Sequence, residues 1–243
     1  MQVDYAKEYR NLSERHWWWR AREAFVLSRL ARLRRLEPDP TPWRILDVGC
    51  GAGVWFDRLK RHGEVKGLEP IAELANTSPY RDRIQIGRLN ADFRAEEPCD
   101  LILLLDVLEH LDDDLGALRA LARSLRPNGR IILTVPALPW LWSEHDEINE
   151  HKRRYVSASL RSTLSAAGFD VEELYYFYHW TVAPMLVRRL LRPSGATGSA
   201  HIPTIPPRPV NLALTLLSRL DLSLAPLRIP LGSSLYASAR IRR

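Results

Sequence analysis

Residues 44–53, Arg-Ile-Leu-Asp-Val-Gly-Cys-Gly-Ala-Gly, limit the fold more tightly than any other stretch of the chain. An apolar run ends in three glycines spaced two apart, Gly49, Gly51 and Gly53, so the segment reads as a buried strand that turns sharply and opens a helix. Glycine reaches positive φ and lets a ligand approach the main chain closely, as such a turn requires. A dinucleotide-binding turn needs its third glycine at position 54, where this chain has Val54. A pyrophosphate cradle is therefore disfavoured, and the turn suits a smaller ligand.

Two acidic residues extend the pattern. Glu69 ends a second apolar segment 20 residues beyond Gly49, where a carboxylate can accept hydrogen bonds from both hydroxyls of a ribose. Asp92, in Leu-Asn-Ala-Asp-Phe, follows a third apolar run and can accept from an exocyclic adenine amine. With Asp47, the three glycines and the element Leu103-Leu-Leu-Asp106-Val-Leu-Glu109-His110, these residues fall in order over residues 40–178. In that order they resemble the class I S-adenosylmethionine-dependent methyltransferases. The resemblance implies S-adenosylmethionine as cofactor, held through Asp47, Gly49, Gly51, Gly53, Glu69, Asp92 and Asp106. It also implies an α/β fold: a Rossmann-like, doubly wound seven-stranded sheet whose last strand is antiparallel.

The residue pattern fits that architecture. Apolar runs predict strands at 44–48, 64–69, 84–89, 100–106, 130–135, 169–178 and 234–241, with amphipathic segments between most of them. Acids at 112–114 cap a helix whose apolar stripe is Leu115, Leu118, Leu121 and Leu125, and Pro127-Asn128-Gly129 stops it. A second helix runs from Ser157 to Gly168. The expected division is a helical lid at 1–40, a cofactor-binding core at 41–179, a helical insertion or cap at 180–231 and the final core strand at 232–243.

Acceptor information should lie outside the cofactor motifs. His16-Trp17-Trp18-Trp19-Arg20-Ala-Arg22 leads into a helix with Leu27, Leu30, Leu33 and Leu36. Its tryptophans either pack the helix on the sheet or form an aromatic lid, with Arg20 or Arg22 reaching an acidic group. Similar His-Trp-Trp segments precede the glycine turn in some bacterial methyltransferases of this class. Residues 136–155 form a long loop at the carboxyl edge of the sheet, where open α/β sheets bind ligands. It carries His145 and His151, candidate general bases for an acceptor hydroxyl. His145 comes first because Glu144 or Asp146 can orient it. If 143–152 is one helix, the two histidines lie on different faces. Asp106-x-x-Glu109-His110 is similar to an element with which some quinone and RNA methyltransferases hold a divalent ion, but it recurs in relatives that need no metal. No metal ligand is assigned.

Residues 180–243 carry nine arginines against the single acid Asp221, a local net charge of +8; with +6 overall, residues 1–179 carry −2. Such asymmetry points to an anionic partner. Apolar segments around Arg188, Arg189 and Arg192, and again at 210–224, flank a Pro- and Ser-containing stretch at 193–209 that reads as a mobile loop. They either pack on the sheet or present an arginine-rimmed surface to anionic lipid through 180–230. Two cysteines without a C-x-x-C spacing, and a charged amino-terminal decapeptide, point to a cytoplasmic protein, peripheral on the inner membrane face if that surface is used. The longest uncharged apolar run near the end, 174–187, has 14 residues, and no membrane-crossing helix is expected. The leading function is methyl transfer to oxygen of a small or lipid-linked acceptor. An RNA methyltransferase and a cofactor-binding scaffold without catalysis are the alternatives; no RNA-binding module is recognisable, so nucleic acid is not the expected partner.

Overall fold

The computed structural model describes residues 11–36, 41–191 and 204–242. Helix α1 (Trp17–Leu36) leads into β1 (Trp43–Val48), followed by α2 (Phe56–Leu59), β2 (Gly63–Glu69), α3 (Ala72–Asn76) and β3 (Ile84–Ile86). The second half holds β4 (Cys99–Leu105), α4 (Asp114–Arg123), β5 (Leu125–Pro136), α5 (Glu144–Ile148), α6 (Ser157–Ala166) and β6 (Phe169–Phe177). Helices α7 (Val182–Leu190) and α8 (Arg208–Leu224) precede the last strand, β7 (Ser234–Ile241). The seven strands form one sheet in the order β3-β2-β1-β4-β5-β7-β6. All neighbours are parallel except at β7, which runs antiparallel between β5 and β6.

The central strands are apolar along most of their length because helices cover both faces; Ile102, Leu104, Ile131 and Leu133 belong to one core, Ile45, Leu101, Leu103 and Ile132 to the other. Helix α4 starts where the acids predict. The Asp113 side chain accepts from Gly116 N at 2.8 Å, and Ala117, Leu118, Ala120 and Leu121 turn inward. It ends earlier than the stripe suggested. Leu125 already pairs with Cys99 of β4, and residues 126–129 form an irregularity within β5 before pairing resumes at Arg130. Strand β3 stops at Ile86, three residues short of the expectation.

The amino-terminal helix covers the sheet as well as its edge. Phe25, Val26 and Leu30 are buried, and Phe25 stacks on Phe177 with ring centroids 5.6 Å apart. Three non-glycine residues with positive φ sit at the carboxyl edge of consecutive strands: Asp106 (55°) after β4, Leu138 (61°) after β5 and Tyr178 (58°) after β6. A left-handed non-glycine residue costs about 1–3 kcal/mol, so the tertiary structure must enforce all three turns. They redirect the chain over the same edge of the sheet.

Helix α8 departs most from expectation. The stretch Arg208–Leu227 is long and apolar enough to cross a membrane by length and composition, where no such helix was expected from the sequence. The uncharged apolar run at 174–187 lies before this helix, which contains Arg208, Arg219 and Asp221. Its placement is lateral: it packs along α1, where Trp17 N donates to Asn211 Oδ1 at 2.9 Å and Asn211 Nδ2 donates to Arg15 O at 2.8 Å. The expected loop at 193–209 is described only from residue 204, and Arg192 and Arg243 lie outside the described residues.

Candidate functional site

A cleft of about 1760 Å³ runs along the carboxyl edge of β1, β2, β4 and β5, roofed by the start of α1 and by the loop after β5. Gly49, Gly51, Glu69, Asp92, Asp106, His145 and His151 all line it. Asp47 and Gly53 do not. Gly53 packs against Tyr80 and Phe56, and Asp47 is buried in β1. Burial, with Glu69 adding to it and Arg22 opposing, pushes the Asp47 carboxyl up to about 7.

One wall of the cleft is mostly backbone. All three glycines of the turn have positive φ, and a Cβ on Gly49 would stand 2.5 Å from Val107 Cγ2. Glu69 is 3% exposed and accepts from Gly51 N at 2.8 Å and Ile71 N at 2.9 Å, which fixes the turn to the end of β2. Burial raises its pKa, while these two hydrogen bonds lower it. Asp92 stands exposed on the rim, in a turn closed by Asp92 N donating to Asn90 Oδ1 at 3.0 Å. A glycine turn that admits no side chain, a fixed carboxylate at the next strand end and a rim acid fit a nucleoside with an attached amino acid.

The other wall is built from side chains of separate segments. Asp106 accepts from Thr134 Oγ1 at 2.8 Å and forms an ion pair with Arg22 of α1, whose side chain is 3% exposed. Asp146 is fully buried: Arg154 donates to both of its oxygens, at 2.8 and 2.9 Å, and Ser143 N donates at 2.8 Å. His151 Nδ1 lies 2.9 Å from Asp146 Oδ1. Burial works to raise the Asp146 pKa, but the hydrogen bonds from His151 and Arg154 outweigh it and hold the carboxyl well below the usual range. An ionised carboxylate only accepts, so Nδ1 of His151 carries the proton and Nε2 is left as the basic nitrogen.

Nearby, Glu109 is 0% exposed and neither of its oxygens has a hydrogen-bond partner. Burial pushes its carboxyl up to about 8, so it is largely protonated at neutral pH. His151 Nε2 stands 3.9 Å from Glu109 Oε1, and the His110 ring lies edge-on to that of His151 at 4.8 Å. Burial, then the proximity of His151, lowers the His110 pKa to about 4.

The loop differs from a single helix over 143–152. Helix α5 ends at Ile148, Glu150 takes φ 58°, and His151 N donates back to Asp146 O at 2.9 Å. The reversal brings His145 and His151 to the same cleft, 6.3 Å apart. Asp146 orients His151, whereas the exposed His145 ring has the Asn149 side chain beside it at 3.3 Å.

The tryptophans divide between the two roles considered. Trp19 is buried, and Trp18 stacks on Tyr178 at 4.1 Å while both Trp18 and Trp19 line the cleft. The expectation that Arg20 or Arg22 reaches an acidic group is met by Arg22, but nothing in the residue pattern singles out Asp106 as that acid. The available signal was helical spacing, since Arg22 follows Trp18 by four residues and Trp19 by three on the cleft-facing side of α1. For Glu109 no sequence signal distinguishes a buried, unpartnered carboxyl from an exposed cap.

Comparison with known proteins bears on this geometry. Residues 18–174 match the family model of a methyltransferase domain. A ubiquinone biosynthesis O-methyltransferase of Xylella fastidiosa is 35% identical over 100 residues, which are 37% of this chain and 41% of that protein. The match thus spans about two fifths of the relative's length. Among solved structures, a methyltransferase in complex with the Trm112 methyltransferase activator of Haloferax volcanii superposes with a TM-score of 0.63 at 16% identity, covering 99% of this chain and 95% of that one. A SAM-dependent methyltransferase from Archaeoglobus fulgidus gives 0.52 at 18% identity, over 90% and 94% of the two chains. The chain belongs to the methyltransferase-domain family and has the fold of the S-adenosylmethionine-dependent methyltransferases.

Proposed function

We propose that this enzyme methylates a hydroxyl oxygen of a small or lipid-linked acceptor, presented at the cytoplasmic face of a membrane, with His151 as general base and His145 beside it on the acceptor side. The observation that carries the reading is the Asp146–His151 pair. A buried, ionised carboxylate fixes the imidazole tautomer and aims Nε2 into the cleft beside the protonated Glu109. A base of this kind matters when the acceptor must lose a proton, and it contributes about 10²- to 10⁴-fold. The name of the Xylella relative is that of an oxygen methyltransferase, which supports the same choice.

On the cofactor side, the main chain at Gly49 and Gly51 would face the nucleoside, Glu69 would accept from the ribose hydroxyls and Asp92 from the adenine amine. Asp106 would hold the amino group, and Arg22, its ion-pair partner, would hold the carboxylate of the same amino acid. Asp47 and Gly53 act from behind the cleft wall, by shaping the turn. The bound cofactor supplies a methyl group activated by its sulfonium centre. The protein then has to align the acceptor oxygen and exclude water, and alignment carries most of the rate. Trp18, Trp19 and the loop after β5 provide that closure.

The test is incubation with methyl-labelled cofactor and separated lipid, small-molecule, RNA and protein fractions of a cell extract. Label in the lipid or small-molecule fraction is expected. Label confined to RNA would replace the reading with the RNA methyltransferase alternative, and cofactor binding without transfer to any fraction would support a scaffold.

A second reading has its own observation. Ligand atoms of Glu109, His110 and His151 lie within 4.8 Å of one another, and Glu109 is unpartnered. These three residues fit a divalent cation better than Asp106, Glu109 and His110, because Asp106 is engaged by Arg22 and Thr134. A rise in melting temperature with magnesium or manganese, absent in Glu109→Gln, would favour it.

A further inference from the structure

Helix α8 has its amphipathic pattern reversed. The residues it buries are Thr215, Ser218, Asp221 and Leu222, and Asn211 lies on the same stripe. The opposite face exposes Leu212, Leu216, Leu217, Leu220 and Leu224, between 40% and 63% of each. A helix on the surface of a water-soluble domain places these classes the other way round. The polar stripe is engaged, because Asp221 accepts from the backbone N and Nδ1 of His179, at 3.1 Å each, and from Trp180 N at 3.3 Å. The helix is therefore seated as built, with its leucines facing outward.

Helix α7, whose start is tied to α8 through Trp180 N and Asp221, also exposes Leu186, Val187 and Leu190. Helix α7 also borders the catalytic cleft through Met185, Arg188 and Arg189. No carboxylate among the described residues pairs with Arg188, Arg189, Arg219 or Arg228. Asp221 is the single acid from residue 180 onward, and it faces inward. An extended apolar surface rimmed by cations and free of exposed acids matches the chemistry of an anionic bilayer surface.

We infer that the exposed faces of α7 and α8 dock this enzyme on an anionic lipid bilayer, with α8 lying in the plane of the interface and the cleft opening beside it. The inference deepens the proposed function, since a lipid-linked acceptor then reaches His151 past Arg188 and Arg189 without leaving the membrane. A second copy of the chain is a poorer occupant, because a self-paired face sets arginine against arginine. A spanning placement does not fit the seat of α8, since it would take the helix off α1 and strip the hydrogen bonds that its Asp221 and Asn211 stripe makes to the protein.

The test is flotation of the full chain with vesicles of phosphatidylcholine alone and with vesicles that also contain phosphatidylglycerol. The parent is expected to float with the anionic vesicles, to stay at the bottom with the neutral ones and to be released by salt. Leu216→Gln/Leu220→Gln and Arg219→Glu/Arg228→Glu are each expected to lose flotation while binding cofactor as the parent does, which shows that both remain folded. Failure of the parent to float with anionic vesicles would overturn docking, as would equal flotation with both vesicle types. So would a parent dimer in solution that the leucine substitutions convert to monomer. Flotation reads no methyl transfer, so its failure leaves the proposed reaction standing and the two are separable.

Discussion

The two walls of the cleft are made in different ways. The wall at the glycine turn is backbone from one short run, held by a single carboxylate that accepts two main-chain N–H groups. The facing wall gathers Arg22, Asp106, Glu109, His151 and Arg154 from α1, the end of β4 and the loop after β5, with Asp146 buried behind it. The first wall has little charge to tune; the second concentrates buried titratable groups whose ionisation is set by neighbours far away in sequence. In the proposed function the backbone wall holds the cofactor together with Asp106 and Arg22 at the near end of the facing wall, and the remainder of that wall, around the Asp146–His151 pair, serves the acceptor.

The largest effect is expected where the backbone wall cannot yield. Gly51→Val places a β-branched residue at φ 56°, and a left-handed residue alone costs about 1–2 kcal/mol before any clash with the ligand. Calorimetric titration should show no measurable cofactor binding. Retained binding would mean that the turn is not the recognition surface.

Glu69→Ala is the milder break in the same wall. It leaves Gly51 N, Ile71 N and the ribose hydroxyls without their acceptor, and about 1–3 kcal/mol of cofactor affinity should be lost. Tight binding of a nicotinamide dinucleotide by the parent, with none of S-adenosylmethionine, would contradict the assignment of the whole wall.

The smallest effect sharpens the other wall. The Glu109 carboxyl is raised in the fold to about 8 from an ordinary value of 4.5, so the folded state holds its proton more tightly than the unfolded chain does. Stability from this group is complete below about 4.5 and is lost as pH rises through about 8. Glu109→Gln keeps the neutral form at every pH. Its melting temperature should match the parent at pH 4 and exceed it at pH 9, checked by thermal unfolding without added metal. A variant less stable than the parent at pH 9 would mean that a cation or another partner compensates the ionised Glu109.

Contiguity explains what could be read in advance. The seven strand segments are legible because apolar runs and glycine turns are local signals, with boundaries displaced mainly at β3 and β5, whereas the antiparallel last strand follows from the family resemblance and not from any local pattern. The 125–129 segment misled because Pro127-Asn128-Gly129 marks a break in chain direction without saying whether it lies between elements or within one. His145 was preferred over His151 because sequence proximity to Asp146 looked like orientation; the turn at Glu150 reverses the chain and gives that carboxylate to His151. The inverted face of α8 was also present in the sequence, at Asn211, Thr215, Ser218 and Asp221, but which face is outward depends on what the helix packs against.

The separation of the walls is tested most directly by one paired measurement on the parent and His151→Ala: cofactor affinity by calorimetry, and transfer of labelled methyl to a lipid extract. The account predicts unchanged affinity with transfer reduced by about 10²- to 10⁴-fold. Transfer that survives the substitution, or affinity that falls in step with it, would contradict a distinct acceptor wall built around the Asp146–His151 pair.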